Sequence, residues 1–271
     1  MDHTSLPVLE HLAASLDVAL DDRARERFDR YRSLLLDWNR RFNLTRVTDP
    51  VDIEVKLFAD ALAIVPIIRR YRAERLTSPV RLIDVGSGAG FPGLPLKIVE
   101  PEIDVTLLEA TGKKVAFLEA VIVTLELDGA RAIHARAEDA AHNPALRAQF
   151  AVVTARGVAR LPALVELCLP FCRVGGWGIF PKGKEAADEV ARARPALDAL
   201  GGRLIDVVSL PIPELSGTTL VIVEQVGVAP DRFPRRPGIP TRHVIAPSIT
   251  RQTGGGDPLR AAPRRDGSIS A

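Results

Sequence analysis

The chain has 271 residues, 46% of them apolar, and a formal net charge of +2. That is enough for one large core with appendages, and no apolar run approaches the roughly 18 residues needed to span a bilayer. The start, Met1-Asp2-His3-Thr4-Ser5, lacks the basic-then-apolar pattern of a secretory signal; the only cysteines are Cys168 and Cys172, and the five histidines show no ligand spacing. These features lead us to expect a cytoplasmic protein with reduced thiols, no metal and no membrane partner.

Residues 1–79 read as a helical region. Asp21 and Asp22 are placed to cap a helix in which Phe28, Tyr31, Leu35, Trp38 and Phe42 recur every three or four residues. Asn43-Leu44-Thr45 and Thr48-Asp49-Pro50 interrupt it, a second helix is expected from about Val51 to Ala73, and Arg75 to Pro79 reads as a linker. From Val80 the rhythm becomes strand, helix, strand. Strands are expected at 80–85, 104–109, 131–136, 150–155 and 176–181, with helices over Lys113–Leu127 and Leu161–Phe171. Such alternation implies a parallel sheet covered on both faces. Cys168 and Cys172, spaced i,i+4, would then share one face of a core helix. Arg203–Leu210 and Thr218–Gln225 read as two strands joined by a short Pro/Gly/Ser loop, so the last two pair antiparallel. Residues 80–226 thus form one α/β domain. Residues 227–271 form a basic Pro/Arg-rich segment, expected to be disordered beyond about residue 249.

The most informative stretch is Val80-Arg-Leu-Ile-Asp84-Val-Gly86-Ser-Gly88-Ala-Gly90-Phe91-Pro92-Gly93. It reads as a buried strand, a glycine-rich turn and a helix start, where backbone donors meet a ligand. Gly88-Ala-Gly90-Phe-Pro-Gly93 also matches the GxGxxG fingerprint of dinucleotide sites. Two neighbours separate the alternatives. Asp84, two residues before the first glycine, would repel a pyrophosphate and suit an ammonium group. Glu109 ends the next apolar run, where an acid accepts both hydroxyls of a ribose. Together they point to S-adenosylmethionine, with a dinucleotide or a purely structural glycine turn as the alternatives. Glu138, just after the third strand, is placed to accept from an adenine amino group, and Arg156, at the end of the fourth, faces the same crevice.

Charge is unevenly spread. Residues 23–46 and 227–271 each hold eight Arg against three acids, or +5 apiece, so the remainder of the +2 chain carries −8. Both stretches suit a polyanionic partner, with solvated surface as the alternative.

The core resembles the class I S-adenosylmethionine-dependent methyltransferases, with seven strands and the last one antiparallel. More narrowly, Trp38-Asn39-Arg40-Arg41-Phe42-Asn43-Leu44-Thr45, the loop Leu82 to Leu96, Glu109-Ala-Thr-Gly-Lys-Lys-Val, Arg136-Ala-Glu138, Ala155-Arg156, Lys182-Gly183 and Phe233-Pro-Arg-Arg-Pro-Gly-Ile-Pro240 resemble, in order, the signatures of the 16S ribosomal RNA guanine-N7 methyltransferases. This family, methyltransferase G of the small-subunit rRNA, was first called glucose-inhibited division protein B. The resemblance implies methyl transfer from S-adenosylmethionine to N7 of a guanine, with 16S rRNA or the small ribosomal subunit as partner; we expect a monomer. It implies cofactor contacts from Gly86, Phe91, Glu109, Ala110, Thr111, Ala137, Glu138 and Arg156, the last also positioning the base, and the reading of the glycine loop adds Asp84, Gly88 and Gly90. Arg40, Arg41, Lys182, Arg235 and Arg236 are then expected to contact RNA. A non-catalytic RNA-binding module or a small-molecule methyltransferase are the alternatives. Leu57 and Ala61 depart from the family, which usually has His and Ser at these places beside the acid matching Asp60.

Overall fold

Residues with apolar side chains on every position, such as Leu82, Ile83 and Val85, need cover on both faces of a sheet. The computed structural model, which describes residues 6–75 and 79–246, supplies it. Ahead of the sheet lie helices α1 (Pro7–Ser15), α2 (Asp22–Phe42), α3 (Pro50–Asp52), a π-helical turn (Ile53–Ala59), α4 (Asp60–Leu62) and α5 (Val65–Arg75). Then follow β1 (Arg81–Val85), α6 (Gly93–Val99), β2 (Asp104–Glu109), α7 (Gly112–Thr124), β3 (Ala130–His134), α8 (Ala137–Ala140), β4 (Phe150–Thr154), α9 (Leu161–Cys168), β5 (Cys172–Lys182), α10 (Ala186–Leu200), β6 (Gly202–Ser209), β7 (Thr219–Gln225) and α11 (Ile239–Arg242).

The seven strands lie in the order β3-β2-β1-β4-β5-β7-β6, and β7 runs antiparallel to both neighbours. This is the expected class I methyltransferase arrangement. Successive side chains alternate between faces. Leu82, Val152, Ile179 and Ile222 pack with α6, α7 and the N-terminal helices. Ile83, Val153, Phe180 and Val221 pack with α8, α9, α10 and the C-terminal segment.

Asp21 caps α2 as expected, its carboxylate accepting from Ala24 N at 2.7 Å, while Phe28, Tyr31 and Leu35 are wholly buried. The helix ends on Asn43, which takes a left-handed φ of 49°. Asn39 Oδ1 then accepts from Thr45 N at 2.9 Å, and Leu44 is buried, so this part of the Trp38–Thr45 signature closes a helix end.

Three expectations are corrected. The single helix over 51–73 is a π-turn between short helical pieces, followed by a break at Ala63–Ile64. The helix over 161–171 ends at Cys168, passes through a 3-10 turn at Leu169–Phe171, and gives way to β5. Cys172 is therefore the first residue of a strand, and the two cysteines do not share a helical face. Both are free and buried, and burial pushes both thiols well above their usual range. The fifth strand starts four residues earlier than expected, because Gly175 and Gly176 obscure its apolar pattern. Residues 76–78 of the expected linker and the tail from 247 lie outside the described residues.

Candidate active site

β1 feeds the loop Gly86–Pro92, and its glycines serve different ends. Gly86 and Gly88, with φ of 72° and 59°, are partly exposed. A Cβ on Gly86 would stand 2.6 Å from Val158 Cγ2, so only a bare backbone lets the turn after β4 close over this loop. Gly90 faces inward instead. A Cβ there would strike Leu94 and lie 2.6 Å from the Tyr31 hydroxyl. That hydroxyl donates to the Ala89 carbonyl, and the Tyr31 ring stacks on Phe91 with centroids 5.3 Å apart. Gly90 and Phe91, both expected on the cofactor, thus form the inward-facing part of the loop and join it to α2; Phe91 is 5% exposed.

Asp84 is beneath the loop, fully buried on β1. Its Oδ2 accepts from Gly93 N at 2.9 Å and ties β1 to the start of α6, while its Oδ1 is buried without a partner. Burial pushes the carboxyl up to about 7, against the opposing pull of the Gly93 N–H and the Arg156 charge.

Glu109 sits at the tip of β2. Its Oε2 accepts from Gly88 N at 3.0 Å and its Oε1 from Thr111 N at 2.8 Å. One carboxylate therefore braces the loop after β1 against the turn after β2. Beside it opens a crevice of about 220 Å³, lined by Gly86, Leu108, Ala110, Ala137, Glu138 and Val158 on one side and by Gly238 and Thr241 on the other.

That second wall belongs to the C-terminal segment, which is no free tail as far as residue 246. Arg147 Nη1 donates to the carbonyls of Ala141 and Phe233 at 3.0 and 2.8 Å, and Nη2 to those of Ala229 and Pro230 at 2.8 and 3.0 Å. Glu138 Oε1 accepts from Gly238 N at 3.0 Å. The Arg235 backbone N and Nε donate to Glu166 Oε1 at 2.8 and 2.9 Å, and Nη2 donates to Oε2 at 2.7 Å. The same Nη2 reaches the His243 carbonyl.

The expectation for Arg235 is therefore revised. The wholly buried Glu166 side chain draws its guanidinium inward, and it anchors the C-terminal strap. Lys182 is likewise committed, paired with Glu189 at 2.7 Å and donating to the Ala159 carbonyl at 3.1 Å, with 11% of its side chain exposed. Arg40 and Arg41 differ. Their side chains are 77% and 71% exposed, and among the described residues they pair only with Asp37, 3.9 and 4.0 Å away. Arg236 is also exposed.

Arg156 leaves the end of β4 and crosses to the N-terminal region. Its Nη1 donates to Asp60 Oδ2 at 2.6 Å and to the Lys56 carbonyl at 3.0 Å, and its guanidinium lies 5.3 Å from the Phe91 ring centroid. Sequence reasoning missed Asp60, Tyr31, Arg147 and Glu166 as parts of this assembly. Asp60 had a signal, its place in a family signature; the others had none.

The pattern of the family described as rRNA small subunit methyltransferase G, GidB, matches residues 24–215. The chain belongs to this family. It is 45% identical over 240 residues to the Ribosomal RNA small subunit methyltransferase G of Roseiflexus sp. (strain RS-1), covering 89% of this chain and 100% of that protein. Its counterpart in Dehalococcoides mccartyi (strain CBDB1) is 42% identical over 230 residues, covering 84% and 95%. Among solved structures, an S-adenosylmethionine-dependent methyltransferase from Aquifex aeolicus is similar in fold, with a TM-score of 0.50 at 15% identity over 68% of this chain and 97% of that one. Leu57 and Ala61, expected to depart from the family pattern, are buried in the core. Among the described residues no helix is long and apolar enough to cross a membrane, and no group of three or more His, Cys, Asp or Glu is set to hold a metal ion.

Proposed function

We propose that this chain transfers a methyl group from S-adenosylmethionine to N7 of a guanine in 16S ribosomal RNA, free or within the small ribosomal subunit. Family membership supports the reaction class. The observation that carries the placement is the Glu109 carboxylate, bridging Gly88 and Thr111 at the carboxyl ends of β1 and β2. Ligands of open α/β sheets bind at these ends.

The residues present fit that cofactor. Each Glu109 oxygen keeps a lone pair for a ribose hydroxyl. Glu138, with Oε1 taken by Gly238, keeps Oε2 for an adenine amino group, and Ala110, Ala137 and Leu108 give the base apolar walls. The partly exposed Gly86 and Gly88 allow a close approach to backbone. Asp84, wholly buried beneath them, braces the loop through Gly93 N.

When bound, S-adenosylmethionine supplies the activated methyl group. Guanine N7 already carries a free lone pair, so no side chain has to remove a proton. What the protein contributes is alignment and the exclusion of water. Arg156 holds the target base or its phosphate, since a guanidinium fork suits either. N7 is hidden in the deep groove of an A-form duplex, so the target is a loop or an opened base.

Arg40, Arg41 and Arg236 are assigned to RNA phosphates. Phe42, next to Arg41, meets Lys113 at 5.6 Å, and Lys113 opens α7 just beyond Glu109–Thr111. Arg236 lies two residues before Gly238 in the opposite wall. This reading puts cations on both sides of the crevice. Mass mapping of 7-methylguanosine in 16S rRNA, from cells with and without this protein, tests the reading; identical maps refute it.

A further inference from the structure

We propose that Asp60 is a positioning residue for methyl transfer, acting through Arg156 and itself held by Thr218. The proposal rests on the reading that Arg156 faces the target base.

Asp60 is 7% exposed, and both its oxygens are used. Oδ2 accepts from Arg156 Nη1 at 2.6 Å, and Oδ1 accepts from Thr218 Oγ1 at 2.5 Å. Three distant parts of the chain meet here: the N-terminal helices, the turn after β4, and the approach to β7. An arginine stem free to rotate samples many rotamers. This one is fixed by the Asp60 carboxylate, the Lys56 carbonyl and the face of Phe91. All of the hydrogen bonds fall on Nη1. Nε and Nη2 make none among the described residues, so one edge of the fork stays open to a phosphate or a base edge.

The backbone is shaped for this contact. Asp60 is the first residue after the π-helical turn Ile53–Ala59, and the Lys56 carbonyl lies inside that turn. Such turns are rare and often occur at functional sites. Each residue advances an α-helix by about 100°, so deleting the extra residue of the π-turn would swing Asp60 away from Arg156 by about that angle. Leu57 and Ala61 pack into the core on either side, leaving Asp60 to meet the guanidinium.

The test is a double-mutant cycle on methyl transfer to small-subunit RNA, with S-adenosylhomocysteine affinity measured by calorimetry on the same proteins. Asp60→Asn should lower kcat at least tenfold while changing S-adenosylhomocysteine affinity less than threefold. Thr218→Val, which keeps the carboxylate and burdens the fold least, should lower kcat about threefold. In an Arg156→Ala background, Asp60→Asn should add less than twofold, because residues acting as a unit are non-additive. A full additional tenfold loss there would overturn the proposal, as would wild-type kcat in Asp60→Asn or Thr218→Val. An unchanged kcat in Arg156→Ala alone would remove the role of Arg156, and Asp60's with it, while leaving the methylation of 16S rRNA by the wild type intact.

Discussion

Glu138 and Gly238 are a hundred residues apart, yet the Glu138 Oε1 accepts the Gly238 amide at 3.0 Å across the mouth of the crevice. The acid assigned to adenine is thus also a fastener for the far wall. Glu138→Ala should therefore do two things at once. S-adenosylmethionine affinity should fall about tenfold to a hundredfold, the range for losing a hydrogen bond to a charged group. Hydrogen exchange at the Gly238 amide should also accelerate. Weaker binding with unchanged protection at Gly238 would separate the two roles and count against the fastener.

Glu109 tests the other side. Its carboxylate holds two backbone amides, and Glu109→Ala removes both acceptors as well as the proposed ribose contact. We expect a loss of about 1.5–3 kcal/mol in cofactor affinity. Calorimetry giving an unchanged affinity would take Glu109 out of the site.

Asp84 predicts a pH dependence. Its carboxyl is raised in the fold from 3.8 to about 7, chiefly by burial. Between those values the folded state keeps a proton that the unfolded chain releases. Stability from this group is therefore full below about pH 4 and is lost as pH rises through 7, by an amount on the order of 4 kcal/mol. Asp84→Asn should flatten that part of the profile. Denaturant unfolding from pH 4 to 8 measures it, and parallel curves for the two proteins would refute the assignment.

The two basic regions are predicted to respond differently. Arg40→Ala with Arg41→Ala should weaken RNA binding and flatten its salt dependence, by about one unit of slope for each phosphate no longer neutralised. Arg235→Ala should leave the slope unchanged and cost about 2–3 kcal/mol of stability, by stranding the buried Glu166. The low end of the range applies because 31% of the Arg235 side chain is exposed. A flattened slope in Arg235→Ala, with stability intact, would return that residue to the RNA surface.

Cys168→Ala with Cys172→Ala should retain methyl transfer, and in the wild type both thiols should react with a disulfide reagent only after unfolding. Rapid labelling of the native protein would contradict their burial.

The sheet was legible because buried parallel strands write themselves as short apolar runs, as at Leu82–Val85 and Val105–Leu108. Glu109 was legible because an acid ending such a run is conspicuous. The π-turn was not, since Ile53, Leu57, Phe58 and Leu62 fit an ordinary helix equally well. Nor was the strap. Arginines among prolines read as solvated charge, and only the folded chain reveals that Arg147 is saturated by carbonyls and Arg235 by a buried acid. Gly90 misled for a related reason. A missing side chain signals close approach without saying to what, and here the neighbour is Tyr31.

The Arg147 clamp also bears on timing. A ribosome delivers residues 229–243 after all seven strands, so the wall formed by Gly238 and Thr241 is the last piece of the crevice to be made. A nascent chain that has reached β7 holds every strand of the sheet and both carboxylates of the crevice, but the carbonyls that Arg147 will fasten and the amide that Glu138 will hold have not yet arrived. The crevice therefore gains its second wall only once the strap has been made.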